Sequence, residues 1–165
     1  MMAEMEILDK INRYLNQALI LLGGVFLVGM IFLTCSNIFL RLVWVPIDGT
    51  FELMGFFGAV ITAFALGHTQ MKKGHIAIDI VVNQFSAGTA RVLSVINHLI
   101  CMIFFGIVSW RLIIWATTLC RTGEITETLR IIFYPFTYAV ALGCLVLTLV
   151  FLIGLLKLLL KKEES

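Results

Sequence analysis

The sequence predicts an all-α integral membrane protein in which four transmembrane helices are accompanied by amphipathic interfacial helices. Of its 165 residues, 61% are hydrophobic and 13% are charged, whereas a soluble domain is roughly half apolar and a quarter charged. Four uncharged stretches are each long enough to cross a hydrocarbon core of about 30 Å. These stretches should be helices, because open strand edges are not tolerated in lipid. We therefore predict a single membrane domain, 1–165.

The placement of lysine and arginine predicts the orientation of the chain in the membrane. Eight basic residues flank one side of the predicted spans and three flank the other. Because cytoplasmic segments carry the excess of Lys and Arg, we expect the N-terminus and the C-terminus both to be cytoplasmic. The eight are Lys10, Arg13, Lys72, Lys73, Arg91, Lys157, Lys161 and Lys162, and the three are Arg41, Arg121 and Arg130.

The N-terminal segment, about 6–17, is predicted to be an amphipathic helix ahead of the first span, about 18–40. Ile7, Ile11 and Leu15 fall on one helical face, and polar side chains fall on the opposite face. Such a helix would lie along the inner membrane surface. Charged residues of both signs precede an apolar run longer than a signal-peptide core, so we do not expect cleavage.

The second span, about 51–70, carries a small residue at every fourth position. Gly55, Ala59, Ala63 and Gly67 share one helical face. Small side chains let membrane helices approach closely, so that packing replaces the hydrophobic drive that lipid removes. We predict a helix–helix contact along this face, either within the chain or with a larger membrane protein.

The first loop should hold two helices as a tight hairpin near the outer interface. Pro46 and Gly49 favour a short turn, which places Arg41 and Glu52 at similar depth. The favoured interpretation is an ion pair that fixes the hairpin, with Asp48 competing for the same arginine. The alternative is that Glu52 binds a transported cation or proton, although transporter sites usually lie near the midplane.

A polar cluster follows the second span at the expected inner surface. It contains Lys72, Lys73, His75 and Asp79, and the lysines suit anionic phospholipid headgroups at about 1 kcal/mol each. His75 has no nearby ligand pair, so we interpret it as a hydrogen-bonding interfacial residue rather than a metal ligand. A second amphipathic interfacial helix, about 76–88, is predicted to follow.

The third and fourth spans, about 91–115 and about 131–157, enclose the longest polar loop on the outer side. Together with Asp48 of the first loop, it offers charges of both signs to an extracytoplasmic partner. A loop that is merely solvated would have the same composition. The charged residues of this loop are Arg121, Glu124, Glu127 and Arg130.

Several kinds of function are disfavoured by the composition and the motifs. The chain has no basic stripe for nucleic acid, no C-x-x-C pair among its four cysteines and no catalytic motif, so we predict neither an enzyme nor a cofactor. Two alternatives stay open: a self-sufficient exporter that depends on Glu52, and a haem or quinone anchor that uses His68 and His98. Because the mid-span residues are almost all apolar or small, the favoured interpretation is a structural subunit.

Several of these residues resemble the small membrane subunit of tripartite ATP-independent periplasmic (TRAP) transporters. The start of the fourth span, with Pro135, Tyr138 and Gly143, is similar to the fourth helix of that family. The family often has paired acidic residues after a Trp at the start of its second helix, and this chain departs from that pattern. The other matching features are Glu52, the apolar helix after it, Gly67 and the run Lys72-Lys73-Gly74-His75-Ile76-Ala77-Ile78-Asp79.

The resemblance implies two protein partners and a location. A large membrane permease would carry the substrate and sodium sites and move as an elevator. A periplasmic solute-binding protein would deliver a carboxylate-bearing solute, such as a dicarboxylate or sialic acid. The small subunit would be a fixed scaffold in the bacterial inner membrane that stabilises the permease and helps receive the binding protein.

Overall fold

The structure, a computed structural model, describes residues 2–72 and 87–160, and this part of the chain forms four α-helices. All four are long and apolar enough to cross a membrane, which confirms the all-helical prediction with four candidate spans. The helices are α1 (Met2–Val43), α2 (Thr50–Met71), α3 (Ala87–Thr122) and α4 (Tyr134–Leu160).

Helix α4 lies at the centre of the arrangement and contacts each of the other three helices. Helices α1 and α2 also contact each other, whereas α3 contacts α4 alone among the described elements. A small core forms where α1, α2 and α4 meet, from Leu19, Val60, Phe64 and Val146. The molecule is therefore a three-helix cluster with α3 attached to one side of it.

The first helix is continuous where the sequence predicts two elements. Its 42 residues span roughly 63 Å at 1.5 Å per residue, about twice the thickness of a hydrocarbon core. No glycine or proline occurs before Gly23, so nothing in the backbone interrupts the helix between the polar segment and the apolar one. The placement of 6–17 along a membrane surface stays a prediction.

Two asparagines of this N-terminal segment point into the protein. Asn12 and Asn16 are buried, while Ile7 and Ile11 are exposed on the other side. The Asn16 amide donates to the Asn12 backbone carbonyl at 2.9 Å and to the Asn12 Oδ1 at 3.0 Å. Its own Oδ1 lies against Gly67 of α2, in the space that a side chain at that position would fill. The glycine therefore admits the asparagine between the two helices.

Two polar contacts join three helices at the end of the molecule where the N-terminal segment lies. Lys157 of α4 forms a salt bridge with Asp9 of α1. Arg91 of α3 donates from its guanidinium to the backbone carbonyl of Leu158 at 2.7 Å, which satisfies one of the carbonyls that a helix end leaves unpaired. Both contacts hold basic side chains near the C-terminal end of α4, where the helix dipole favours positive charge.

The boundaries of the last two helices differ from the predicted spans. Helix α3 begins before 91 and continues past 115, and α4 begins at Tyr134 because residues 131–133 belong to the loop before it. Of the predicted interfacial helix 76–88, the structure describes only 87–88, and both residues open α3. The rest of that helix lies outside the described residues, as do Lys73, His75 and Asp79.

Candidate functional site

The row of small residues on α2 divides into two halves with different surroundings. Ala63 and Gly67 are buried, and a Cβ at Gly143 of α4 would lie 2.7 Å from the Ala63 backbone oxygen. Gly55 and Ala59 are exposed, and a Cβ built at Gly55 meets no atom within 4 Å. The half with Ala63 and Gly67 thus packs inside the subunit, and the half with Gly55 and Ala59 presents a smooth surface within a candidate membrane span.

The division follows from helix geometry. Four residues advance an α-helix by about 400°, so a strict four-residue spacing turns by roughly 40° at each step and by about 120° from Gly55 to Gly67. Such a row winds around α2 rather than following one straight edge. It therefore passes from a face that is open in the subunit to a face that contacts α1 and α4.

Glu52 connects α2 with the loop between α3 and α4. Its carboxylate accepts hydrogen bonds from the backbone N–H groups of Thr128, at 2.9 Å, and Leu129, at 3.1 Å. Hydrogen bonds to an ionised acceptor are among the stronger ones in proteins. The predicted ion pair is wrong, because Arg41 is exposed and no salt bridge within residues 2–72 and 87–160 includes it.

The loop between α1 and α2 is held by its own polar groups. Asn37 of α1 accepts a hydrogen bond from the backbone N–H of Ile47 at 2.8 Å. The hydroxyl of the buried Thr50 donates to the Ile47 carbonyl at 2.7 Å. Gly49 has a φ of 70°, and the Leu129 side chain occupies the position that a Cβ at Gly49 would take. Only glycine satisfies both conditions, so the two outer loops interlock here.

The loop between α3 and α4 is folded rather than merely solvated. An antiparallel bridge joins Ile125 and Ile132. Within it, the backbone N–H of Thr126 donates to the Ile131 carbonyl at 2.9 Å, and the Ile131 N–H donates to the Thr126 hydroxyl at 3.1 Å. Arg130 has a φ of 50°, an uncommon conformation for a residue other than glycine. These contacts give the loop a defined shape.

An aromatic cluster supports the base of this loop. The Phe56 ring of α2 stacks on Phe136 of α4 at 4.5 Å between centroids and meets the edge of Phe133 at 5.3 Å. Offset stacked and edge-to-face pairs are the favoured aromatic geometries. The loop is thus anchored to α2 by rings on one side and by Glu52 on the other.

We define the outer platform, named for its predicted side of the membrane, as residues 44–50 and 123–133, which the contacts of Glu52 and Gly49 hold together. The charged residues predicted for partner docking lie on this platform or, for Arg121, at the adjoining end of α3. Each charged candidate is exposed, and none forms a salt bridge within the described parts of the chain. They are Asp48, Arg121, Glu124, Glu127 and Arg130.

Three residues that shape the platform were not identified from the sequence. Asn37 and Thr126 are polar residues whose position at a helix end or in a loop is compatible with capping, a signal that is present but unspecific. Leu129 gives no such signal, because an apolar residue in a loop does not indicate which glycine it will contact. Its role follows only from the fold.

The histidines do not form a cofactor site in the described part of the chain. His68 lies on α2 and His98 on α3, and these helices do not contact each other. The His98 ring nitrogen Nδ1 is 2.9 Å from the Ser94 carbonyl, and the ring packs on Phe151 and Gly154 of α4. No group of three metal-binding side chains occurs in residues 2–72 and 87–160. The haem interpretation is therefore not favoured.

Lys72, at the inner end of α2, is the member of the predicted inner-surface cluster that the structure describes. It is exposed and follows the last turn of the helix. Its backbone N–H donates to the His68 carbonyl at 3.1 Å, which closes that turn. Because the Lys72 side chain is exposed, it can face water or lipid headgroups. Binding of phospholipid stays a prediction.

A comparison with protein-family models relates this geometry to a transport system. Residues 30–161 match the family described as tripartite ATP-independent periplasmic transporters, DctQ component. No characterised protein and no solved structure gives a significant match. The family model covers the last third of α1, the other three helices and the outer platform, and such components are multi-pass proteins of the inner membrane. The chain therefore belongs to the DctQ family, the small membrane component of TRAP transporters.

Proposed function

We propose that this small TRAP component is a stationary scaffold for the large permease of a sodium-coupled transporter. The permease would carry the path of a carboxylate solute, such as a dicarboxylate or sialic acid. The scaffold would stabilise the permease and help receive the periplasmic binding protein. The observation that carries the proposal is that no Asp, Glu, Lys or Arg is buried within residues 7–72 and 88–158, whereas transport sites usually contain intramembrane ionisable groups.

Helix α2 supplies the surface that best suits contact with the permease. Its exposed positions in the outer half include Gly55, Ala59 and Thr62, and small residues allow the close approach of another helix. The outward faces of α1 and α3 instead carry bulky side chains such as Phe32 and Ile103. Bulky aliphatic and aromatic side chains pack as well against lipid tails as against protein. We therefore assign the small-residue surface to the permease.

A matched pair of substitutions tests this assignment. Ala59→Leu adds a bulky group to the exposed surface, and Ala63→Leu adds the same group one turn away, inside the subunit. We expect Ala63→Leu to destabilise the isolated subunit by about 1–3 kcal/mol. We expect Ala59→Leu to leave its thermal stability unchanged and to reduce the amount of permease that copurifies in mild detergent.

Either of two results would contradict the assignment. Copurification of the Ala59→Leu subunit at the wild-type level would mean that the permease binds elsewhere. Equal melting temperatures for the Ala63→Leu subunit and the wild type would mean that the observed packing with α4 does not hold. Recovery of the wild-type chain alone from native membranes, together with transport by it in vesicles, would reject the scaffold function itself.

The proposed orientation places both termini in the cytoplasm and the outer platform in the periplasm. Cys120 is exposed near the end of α3, so it reports on that side. With the other cysteines replaced, a membrane-impermeant maleimide added to spheroplasts should label Cys120. A cysteine at Lys10, which is exposed near the start of α1, should react only after lysis. The reverse pattern would invert the topology.

Sodium coupling and the solute class require the whole transporter. We expect the reconstituted complex to accumulate a carboxylate when a sodium gradient is imposed and its binding protein is present. Collapse of that gradient should abolish accumulation. Uptake that continues without sodium would reject sodium as the coupling ion and leave the scaffold proposal standing.

A further inference from the structure

The α3–α4 loop is held at the start of α2 by the Glu52 carboxylate, by packing beside Gly49 and by the contact between the Phe56 and Phe133 rings. The side-chain hydrogen bonds between α2 and this loop, within the described residues, all end on Glu52. The Leu129 side chain fills the space beside Gly49. The conformation of residues 123–133 therefore depends on contacts made from outside the loop, at the start of α2.

The chemistry of this contact suits the fixing of a backbone. A carboxylate has two oxygens and accepts two hydrogen bonds at once, and here each oxygen receives the N–H of one of two adjacent residues. The carboxylate therefore binds the loop at two adjacent residues, Thr128 and Leu129.

The backbone of the loop shows that this conformation is imposed. Arg130 is the residue other than glycine with a positive φ in the described chain. A conformation of this kind persists where the surrounding structure holds it in place. The Arg130 side chain is exposed on the same short hairpin as Glu124 and Glu127.

We infer that Glu52 is a positioning residue for the binding protein, which docks on the outer platform with the charges of its hairpin already in place. This inference rests on the proposed function. The partner is the periplasmic solute-binding protein, whose complementary charges would face a surface that carries both signs. An interface that is ordered before binding loses less conformational entropy on association, so it binds more tightly than a flexible loop with the same residues.

The test uses Glu52→Gln in the complete transporter. Glutamine has the same shape, but its amide nitrogen cannot accept the second N–H. We expect faster hydrogen–deuterium exchange of the peptide 123–133. In proteoliposomes the binding-protein concentration that gives half-maximal transport should rise by about three- to tenfold, the size of effect that the loss of one intramolecular hydrogen bond typically has. The maximal rate and the copurification of the permease should not change.

Two further variants distinguish a positioning role of Glu52 from an effect of hairpin charge and from an effect on loop folding. Glu127→Gln removes one negative charge from the same hairpin but no recorded hydrogen bond, so any shift it causes should depend on salt and leave exchange unchanged. Leu129→Ala removes the packing on Gly49 and keeps the backbone N–H groups that Glu52 binds. Leu129→Ala should accelerate the exchange of the peptide 123–133 and raise the half-saturating concentration of binding protein, each by a smaller factor than Glu52→Gln.

The outcomes that overturn the inference differ from those that overturn the proposed function. If Glu52→Gln accelerates exchange without altering the half-saturating concentration, the loop is fixed by Glu52 but is not the docking surface. If the permease no longer copurifies with either Glu52→Gln or Leu129→Ala, Glu52 is structural. If reversing all four charges of Arg121, Glu124, Glu127 and Arg130 leaves the dependence on binding protein unchanged, docking by this subunit is rejected while its scaffold role stands.

Discussion

Helices α3 and α4 are both strongly apolar and run side by side, yet they have opposite environments. In the most apolar stretch of α4, 44% of the residues are buried, compared with 6% in α3. Helix α4 contacts all three neighbours, and α3 contacts α4 alone among the described elements. Apolar character therefore predicts that each helix enters the membrane but not which of them forms the centre of the subunit.

The two helices differ in how many of their faces contact a neighbouring helix. Helix α4 presents Ala141, Gly143 and Gly154 to adjacent helices, and Gly143 approaches the backbone of α2. The outward face of α3 carries bulky residues, among them Ile103 and Ile107. Since lipid tails are as apolar as leucine, burial between membrane helices is decided by close fit and by polar contacts.

The largest expected effect is at the closest approach between α4 and α2. Gly143→Leu should destabilise the isolated subunit by about 3 kcal/mol, because even a Cβ there would lie 2.7 Å from the Ala63 carbonyl oxygen. Thermal unfolding in detergent measures the change. Gly24→Leu is the control, since a Cβ at Gly24 meets no atom within 4 Å. Equal losses of stability in Gly143→Leu and Gly24→Leu would mean that α4 is no more closely packed at Gly143 than α1 is at an open position.

An intermediate effect is expected where α3 is joined to α4 by a side chain. The Ser109 hydroxyl donates to the Ala141 carbonyl at 3.1 Å, and Ser109 is 4% exposed. Ser109→Ala should cost about 0.6 kcal/mol, the average for hydrogen bonds between membrane helices. Thr117→Ala serves as the comparison, because the Thr117 hydroxyl bonds only to its own helix. A cost at Thr117 that exceeds the cost at Ser109 would argue against this contact.

The smallest effect is expected on the outward face of α3. Ile107 is 59% exposed, so detergent or lipid replaces the contacts that Ile107→Ala removes. The melting temperature of the isolated subunit should remain at the wild-type value within error. The same variant in the complete transporter sharpens the comparison: unchanged permease copurification would identify this face as lipid-facing, and a loss would transfer the permease contact from α2 to α3.

The sequence predicted four helices long and apolar enough to span a membrane, but not the residues at which each helix begins and ends. Long uncharged runs specify helices in lipid, because every backbone polar group must be satisfied within the segment. The end of a helix depends on local backbone chemistry instead. The predicted boundary near 17 is absent because no breaking residue occurs there, and residues 131–133 leave α4 because they pair within a loop.

The candidate site was predicted only in part, for a reason that the sequence pattern shows. A hydropathy pattern gives the depth of each side chain in the membrane, so Arg41 and Glu52 were expected near the same interface. Depth does not give the direction in which a side chain points around its helix axis. Glu52 turns toward the α3–α4 loop, and the pair predicted from depth alone does not form.

The sequence by itself determined that this protein is an all-helical membrane subunit with four spans, and its residues already carried the resemblance to the TRAP small component. The tertiary structure decided which helix is central, which half of the α2 row is buried, and which loop Glu52 holds. Composition and periodicity act along one helix and set its depth in the membrane. Neighbours are chosen by short-range fit between particular side chains, and that fit exists only after the helices have come together.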